Sequence, residues 1–285
     1  MKAGVDFGST LTKAAWHKGD GTYALWSTRD GAEYSFQAGT PQGRMEWALR
    51  SFGEGGDRVD TLRATGIGRR WLQGFVIEEA AADQIEDEIH LQADGARRLL
   101  TLEGRPLDSF LLVSVGTGVS YTRVVEGKAE RFPFGSAIGG GFIAGLANIF
   151  CWKTLGEIEK SIAGAKPLNL LVRDVLPTAV GTPMGEFVVA HFGKHDADER
   201  DGHTPAKIMA TVLNMVATSI MRDVMMMSLM PDHRPPGALV FVGSTLATFP
   251  TLAGYIDGYA RMFGIETRFP VHGEFSAAIG ALHAP

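Results

Sequence analysis

Features that define several protein classes are scarce or missing in this 285-residue chain. It has one cysteine, Cys151, which excludes an internal disulfide framework and any multi-cysteine metal or iron–sulfur site within a single chain. No run reaches the ~18 uninterrupted apolar residues that a membrane-spanning helix needs. The first residues lack the apolar segment of a signal peptide. These absences predict a cytoplasmic protein without membrane contact.

The chain also has no excess of positive charge. The formal net charge is −5 and the pI is about 5.9, so the chain has no electrostatic footprint for nucleic acid. Glycine, in contrast, is abundant, with 36 of 285 residues against a usual share of about 7%. The glycines form short clusters between apolar runs, which excludes disorder, fibre and coiled coil. Such clusters are typical of an α/β protein with tight loops in which backbone approaches another group closely.

A strand, a glycine turn and a second strand occur twice along the chain. The two copies are Ala3–Phe7, Gly8-Ser9-Thr10 and Leu11–Trp16, then Phe110–Val115, Gly116-Thr117-Gly118 and Val119–Val125. The other predicted strands are Tyr23–Trp26, Thr61–Thr65 and Ala238–Val242, and the helical segments are Glu46–Phe52, Ile85–Leu100, Phe142–Phe150, Pro205–Met230 (one helix or a broken pair) and Leu252–Phe263. This order predicts a two-domain α/β protein with a ligand between the domains at the strand ends.

The loop after the first strand has the chemistry of a phosphate site. Asp6 ends a buried strand and can hold Mg²⁺ or its water, while the small residues from Gly8 onward direct backbone N–H groups to a phosphate. Ser9 and Thr10 add hydroxyl donors, and Lys13 adds a cation. The alternative interpretation is an ordinary β-hairpin with a polar tip, and a Walker A sequence is absent.

Three further glycine loops follow strands or open helices. Gly116-Thr117-Gly118 is a candidate second phosphate loop. Gly139-Gly140-Gly141 is a candidate helix N-terminus that binds anions through free N–H groups. Gly243-Ser244-Thr245 is a candidate site for the base or ribose. Four such loops in one chain predict a nucleoside triphosphate site.

Taken in order, these segments resemble type II pantothenate kinases. The matching segments are Gly4–Lys13, Val115–Ser120, Ile138–Leu146, Phe241–Ser244 and Glu274–Leu282. The resemblance implies the fold of the actin-like and sugar-kinase ATPase superfamily, with two ribonuclease-H-like domains, here residues 1–106 and 107–285, and a nucleotide cleft between them. It also implies ATP- and Mg²⁺-dependent phosphorylation of a primary hydroxyl of pantothenate or a related small molecule, the first step of coenzyme A biosynthesis, by a homodimer.

The same resemblance assigns roles to particular residues. Glu88, near the start of a helix in the frame Asp87–Gly95, takes the position of the catalytic base, and His90 stands where the family usually has Asp. Gly243-Ser244 and Gly280 border the adenosine, and Asp6 organises Mg²⁺. The alternative interpretation of Glu88 is a solvated acid on the helix face.

One segment departs from the family pattern. The family has an arginine for the pantothenate carboxylate shortly before the triple glycine, and counting back from Gly139 places Phe132 there. Arg131 is one residue away, and neighbouring side chains of a strand point to opposite faces. Unless the register shifts, the carboxylate clamp is therefore lost or comes from another residue. The apolar run Phe132–Phe134 predicts a more apolar acceptor pocket. The candidate acceptor-binding residues are Arg131, Phe132, Gly135 and Ser136.

A second resemblance supports another function. Ala64–Arg69 and the segment from Glu88 to Ala96 resemble the ATPase activators of 2-hydroxyacyl-CoA dehydratases, homodimers that hold a [4Fe–4S] cluster through two cysteines per chain. Cys151, the single cysteine here, is interpreted as a buried core thiol. The alternatives to a kinase are therefore a cluster-free ATPase switch and a degenerate homologue that only binds nucleotide.

Two segments have interpretations that the sequence leaves open. Gly193–Gly202 is either a solvated loop or a lid over the cleft. Met225–Met227 and Met230 are interpreted as core or dimer-interface residues, and the alternative is an adaptable binding surface.

Overall fold

The computed structural model describes residues 2–8, 11–18, 20–28, 61–66, 85–150, 154–194 and 204–284. The predicted helix Glu46–Phe52, Cys151 and most of Gly193–Gly202 lie outside these residues, as do Ser9 and Thr10. Within them, two larger sheets are covered by helices, and each sheet takes its strands from one half of the sequence.

The first sheet has four strands in the order β3-β2-β1-β4. They are β1 (Lys2–Phe7), β2 (Thr12–His17), β3 (Tyr23–Ser27) and β4 (Thr61–Thr65). The first three are antiparallel neighbours, and β4 lies parallel to β1 on its other side. Because both faces of β1 are covered, nearly all of its residues are buried.

The second sheet repeats this arrangement and adds a fifth strand. Its strands are β5 (Phe110–Val115), β6 (Val119–Val125), β7 (Lys128–Ser136), β10 (Leu239–Val242) and β11 (Thr267–Arg268). Two further strands, β8 (Leu170–Leu171) and β9 (Val188–Ala190), pair with each other in a separate small sheet. The order is β11-β10-β5-β6-β7, in which β5, β6 and β7 are antiparallel and β10 is parallel to β5. The duplicated strand pattern predicted from the glycine turns is therefore present.

Eight α-helices are described. They are α1 (Ile85–Leu102), α2 (Gly140–Ile149), α3 (Leu155–Ile162), α4 (Val172–Val175), α5 (Pro205–Leu229), α6 (Ser244–Thr248), α7 (Pro250–Met262) and α8 (Ser276–His283). The predicted segment Pro205–Met230 is thus one unbroken helix. Thr204 caps it by accepting a hydrogen bond from the N–H of Lys207, and Pro205 occupies its first turn, where a missing N–H costs nothing.

Helix α5 forms the main core with one face of the second sheet. Val212, Val216 and Ile220 lie on it at helical spacing and pack against strand residues such as Val113. By length and composition α5 could cross a membrane, but 67% of its most apolar window is buried inside the protein. Met227 belongs to this core, whereas Met226 and Met230 are exposed, so the dimer-interface alternative for those two stays a prediction.

Helices α1 and α8 lie between the two sheets. Ala93, Ala96 and Leu100 of α1 cover the second face of the second sheet, opposite α5. Helix α8, although last in the sequence, packs on β1 so closely that a Cβ on Gly4 would lie 2.0 Å from the carbonyl oxygen of Ala278. The domain boundary between residues 106 and 107 stays a prediction.

Candidate active site

Asp6 and Lys13, two of the predicted ligands, are bonded to each other. They face one another across the β1–β2 hairpin, and Lys13 Nζ lies 2.7 Å from Asp6 Oδ2. Their side chains are 7% and 12% exposed, so water screens this charge-assisted bond little. Either group can therefore reach Mg²⁺ or a phosphate only by sharing or exchanging its present partner.

Backbone and a hydroxyl crowd the other side of Asp6. Gly66 has a φ of +92°, and a Cβ there would lie 2.8 Å from Asp6 Oδ1. Thr65, next to Asp6 across β4 and β1, is fully buried, and its Oγ1 has no hydrogen-bond partner in the part of the chain that the structure describes. A buried carboxylate beside an unsatisfied hydroxyl is an oxygen donor set that suits a hard cation such as Mg²⁺.

Three glycine loops meet at the end of β5. The carbonyl oxygen of Gly116 accepts a hydrogen bond from the N–H of Gly140 at 2.8 Å and another from Thr245 Oγ1 at 2.9 Å. The N–H of Gly141 donates to the carbonyl oxygen of Thr117 at 2.8 Å. The second phosphate loop, the triple glycine and the loop between β10 and α6 thus form one cluster. Thr245, which belongs to the candidate base or ribose loop, uses its hydroxyl to hold this cluster together, and its role toward the base or ribose stays a prediction.

This cluster corrects the interpretation of Gly139–Gly141 as a helix end with free N–H groups. The N–H groups of Gly140 and Gly141 are bonded to loop carbonyls, so they are not available to an anion. What α2 still offers is the positive end of its helix dipole, directed at the loop that follows β5.

Most glycines of the cluster make room for protein backbone. A Cβ on Gly243, whose φ is +113°, would lie 2.4 Å from the carbonyl oxygen of Val115, and one on Gly139 would lie 2.8 Å from the Cα of Gly118. Among the described residues, the atom nearest to a Cβ on Gly116 is the Gly118 carbonyl oxygen at 4.0 Å, so they leave this position open. Gly116 can therefore let the backbone approach a ligand, as expected from the sequence. At positions 139 and 243, close packing between loops explains why the residue is glycine.

Glu88 lies on the first turn of α1 and is half-buried. One turn later, Gln92 Nε2 donates a hydrogen bond of 3.1 Å to Ser114 Oγ. Ser114 is the second residue before Gly116, so the helix face that carries Glu88 lies beside the end of β5. His90 is exposed. The sequence carries no local pattern that predicts the Gln92–Ser114 contact, because this contact depends on how α1 packs on the sheet.

A bulge in β7 brings Arg131 nearer to the second phosphate loop than an unbroken strand would. Thr122 of β6 lies opposite Arg131, and Ser120 lies opposite Gly135, so four steps along β7 (131 to 135) match two along β6 (120 to 122). Thr122 and Arg131 share one face of the sheet, and it is the face that α1 covers, since Val124 two residues on packs there. Arg131 is exposed there and has no hydrogen-bond or ion-pair partner among the described residues.

Phe132 points to the opposite face. It is 4% exposed in the core formed with α5, with its ring centroid 5.3 Å from that of His233. Phe134 lies on the same side with its ring tilted against that of Tyr121. Burial raises the pKa of Tyr121, and its hydroxyl donates to Asp223 at 2.9 Å. The structure thus gives Phe132 a place in the core instead of the predicted one in an acceptor pocket.

The other predicted binding residues lie in two settings. Gly135 and Ser136 end β7 beside the second phosphate loop, where a Cβ on Gly118 would lie 2.9 Å from the carbonyl oxygen of Ser136. Ser244 begins α6 next to the loop cluster. Gly280 is buried between α8 and α1, where a Cβ would lie 1.8 Å from the carbonyl oxygen of Leu91. Helix packing is thus one reason for a glycine at 280, and its assignment to the adenosine site stays a prediction.

Comparison with known proteins defines the family. The model of the Fumble family matches residues 74–284, well over half of the chain. The chain belongs to the Fumble family. This Fumble-family chain is similar to a type II pantothenate kinase of Staphylococcus saprophyticus, with 26% identity over 292 residues, 99% of this chain and 100% of the relative. It is also similar to a type II pantothenate kinase of Staphylococcus aureus, with 26% identity over 205 residues, 70% and 74% of the two chains. The family resemblance expected from the motifs is confirmed.

Solved structures confirm the fold class of the Fumble-family chain. The activator of 2-hydroxyisocaproyl-CoA dehydratase from Clostridium difficile, solved with ADPNP, has a TM-score of 0.63 at 16% identity, over 99% of this chain and 93% of its own. Component A of the Acidaminococcus fermentans (R)-2-hydroxyglutaryl-CoA dehydratase has a TM-score of 0.61 at 17% identity, over 99% and 96%. At such identities the likeness concerns the fold alone.

The donor set of the site fits a Mg²⁺ ion that is held mostly by phosphate. In the described ranges, no group of three His, Cys, Asp or Glu side chains could hold a metal ion. Mg²⁺ in phosphoryl-transfer sites usually needs one or two carboxylates and takes its other ligands from waters and substrate phosphates. Asp6, with the unsatisfied hydroxyl of Thr65 next to it, meets that requirement.

Proposed function

We propose that this protein is an ATP- and Mg²⁺-dependent kinase that phosphorylates a primary hydroxyl of pantothenate or a related small molecule in the cytoplasm. The observation that carries the proposal is the position of the Glu88 face of α1 beside the end of β5 and the open Gly116 loop. A carboxylate next to a candidate phosphate loop suits phosphoryl transfer to an alcohol. The Staphylococcus relatives, named type II pantothenate kinases, support the acceptor class.

Each group of the site has one task in this proposal. Asp6 would hold Mg²⁺, and Lys13 would contact a phosphate oxygen after it leaves Asp6. Backbone of the Gly116 loop would hold the phosphates. Bound Mg²⁺·ATP would supply the transferable phosphoryl group and neutralise its charge. Glu88 would accept the proton of the acceptor hydroxyl and keep its oxygen aligned for attack.

Arg131 would bind the carboxylate of the acceptor. β7 directs Arg131 to the side of the sheet that α1 covers, and thus to the side of Glu88, while Phe132 takes the core position. An exposed guanidinium with no partner among the described residues is suited to a bidentate bond with a carboxylate. The bulge adds an even number of residues and leaves this facing unchanged, but it brings Arg131 opposite Thr122 instead of Val124, and so nearer to the loop. In this proposal the carboxylate clamp therefore comes from Arg131 and not from the position of Phe132.

Replacing Arg131 with alanine should raise the KM for pantothenate roughly 10-fold or more, because a hydrogen bond to a charged group contributes about 1.5–3 kcal/mol. The KM for ATP should not change. Steady-state kinetics with pantothenate and with an analogue that has an alcohol in place of the carboxylate measures this. Lys128→Ala removes a cation at the far end of the same strand and serves as the control. An Arg131→Ala variant with equal losses for both acceptors would contradict the carboxylate role.

The assay that tests the proposed function is ADP release with and without pantothenate, beside a panel of similar primary alcohols. Acceptor-dependent ADP release supports the kinase. Slow hydrolysis that no acceptor accelerates would instead indicate an ATPase switch, and nucleotide binding without ADP release would indicate a degenerate kinase. Either of the last two results would reject the proposal.

A further inference from the structure

We propose that Gln92 is a positioning residue that fixes Glu88 beside the second phosphate loop through its hydrogen bond to Ser114. The inference rests on the proposed function, in which Glu88 is the base. It adds a pair of residues that contact neither nucleotide nor acceptor and act through the orientation of α1.

The geometry of the pair links the base to the loop. Residues four apart on a helix lie on one face, one turn from each other, so Gln92 sits directly behind Glu88 on α1. Gln92 Nε2 donates to Ser114 Oγ at 3.1 Å in a partly buried setting. Ser114 belongs to β5, and Gly116 opens the loop two residues later. One side-chain hydrogen bond thus connects the helix face of the base to the strand that presents the loop.

Contacts on two sides hold α1 from Ala93 onward. Ala93, Ala96 and Leu100 seat it on the second sheet, and Leu99 packs with apolar residues of α8. The turn that carries Glu88 lies N-terminal to these apolar contacts. There the hydrogen bond from Gln92 ties α1 to β5, and we expect its loss to let this turn move away from the loop.

The pair acts through geometry because it carries no charge. Gln92→Leu keeps a side chain of similar length and a high helix propensity, and the released Ser114 hydroxyl is only half-buried, so it can bond to water. Ser114→Ala removes the same bond from the strand side. Neither change deletes an apolar contact of α1, and we therefore expect the fold to persist in both variants.

The test uses steady-state kinetics of ADP release with pantothenate, together with thermal unfolding and nucleotide binding. Gln92→Leu and Ser114→Ala should each lower kcat about 10-fold, since an error of about 1 Å in a reacting group can cost about 100-fold. KM values and nucleotide affinity should stay within about twofold. The double variant should lose no more than either single variant, because both remove one bond. Ser114→Thr, which keeps the hydroxyl, should retain the wild-type kcat.

The Glu88→Gln variant, which lacks the proposed base, distinguishes an effect of Gln92 on the position of Glu88 from a general effect of Gln92 on the structure. In Glu88→Gln, adding Gln92→Leu should lower the residual rate no further. A Gln92→Leu enzyme with wild-type kcat, or an equal loss in both backgrounds, would overturn this inference and leave the proposed function standing if Glu88→Gln itself is inactive. A fully active Glu88→Gln would overturn the base assignment, and the positioning role with it.

Discussion

Glu88→Gln should lower kcat at least about 100-fold and leave nucleotide affinity within about twofold of the wild type. Glutamine keeps the shape of the side chain and its reach from α1, but it cannot accept the proton of the acceptor hydroxyl. The phosphate loop and Asp6 lie on other elements, so their contacts to a nucleotide are unaffected. ADP release measures the first effect, and calorimetric titration with a non-hydrolysable ATP analogue measures the second.

The same helix offers a control for the charge that this change removes. Asp94 pairs with Arg98 one turn later on α1, with Arg98 Nε 2.7 Å from Asp94 Oδ2 and both side chains more than one third exposed. Such surface pairs contribute little, so Asp94→Asn should retain nearly wild-type turnover. If Glu88→Gln behaves like Asp94→Asn, Glu88 is a solvated acid of the helix face and the base must be sought elsewhere.

The sequence predicts the strands and glycine turns well because local signals determine them. Apolar runs such as Phe110–Val115 end at glycines that a turn requires, and the strand that forms has those bounds. The Asp6–Lys13 pair could also have been inferred, because a tight hairpin after Phe7 places these two residues opposite each other. These features can be predicted from the alternation of apolar and polar residues, from the residues that turns require and from the separation of residues along the chain.

Register and packing were not readable from local signals. The two residues that the bulge between Arg131 and Gly135 adds on β7 leave Arg131 on the face that simple alternation predicts, but they place it opposite Thr122 instead of Val124. Pro133 lies within that bulge, and since it has no N–H it cannot support a regular ladder there. A proline between two aromatic residues was the available signal. The Gln92–Ser114 contact had none, because it depends on how a helix and a strand from different halves of the chain meet.

A glycine also looks the same in a sequence whether it faces a ligand or another backbone. The described residues leave the Cβ position of Gly116 open, whereas a Cβ on Gly243 would meet backbone of Val115 and one on Gly280 would meet backbone of Leu91. All three follow the pattern expected of nucleotide-binding glycines. Only the neighbouring atoms distinguish a binding role from a packing role, and a substitution can test that distinction.

Gly280→Ala should lower the free energy of unfolding by about 2–3 kcal/mol in the absence of any nucleotide. The new methyl carbon would lie 1.8 Å from the carbonyl oxygen of Leu91 and 2.9 Å from its Cα, so α8 and α1 must move apart by about 1 Å or more. These are backbone atoms of a helix, which cannot yield as the end of a flexible side chain can. Urea unfolding followed by circular dichroism measures the loss.

Gly145→Ala is the matched control, because Gly145 lies within α2 and, apart from its own neighbours and helix backbone, no described residue has an atom within 4 Å of its Cβ position. There the same change should stabilise the protein by roughly 0.5–1 kcal/mol, since alanine restricts the unfolded chain and favours helix. A packing role for Gly280 further requires that ATP stabilise Gly280→Ala and the wild type by equal amounts, because a ligand adds free energy only through the sites it contacts. Unchanged stability without nucleotide, combined with a smaller stabilisation by ATP, would return Gly280 to the adenosine site.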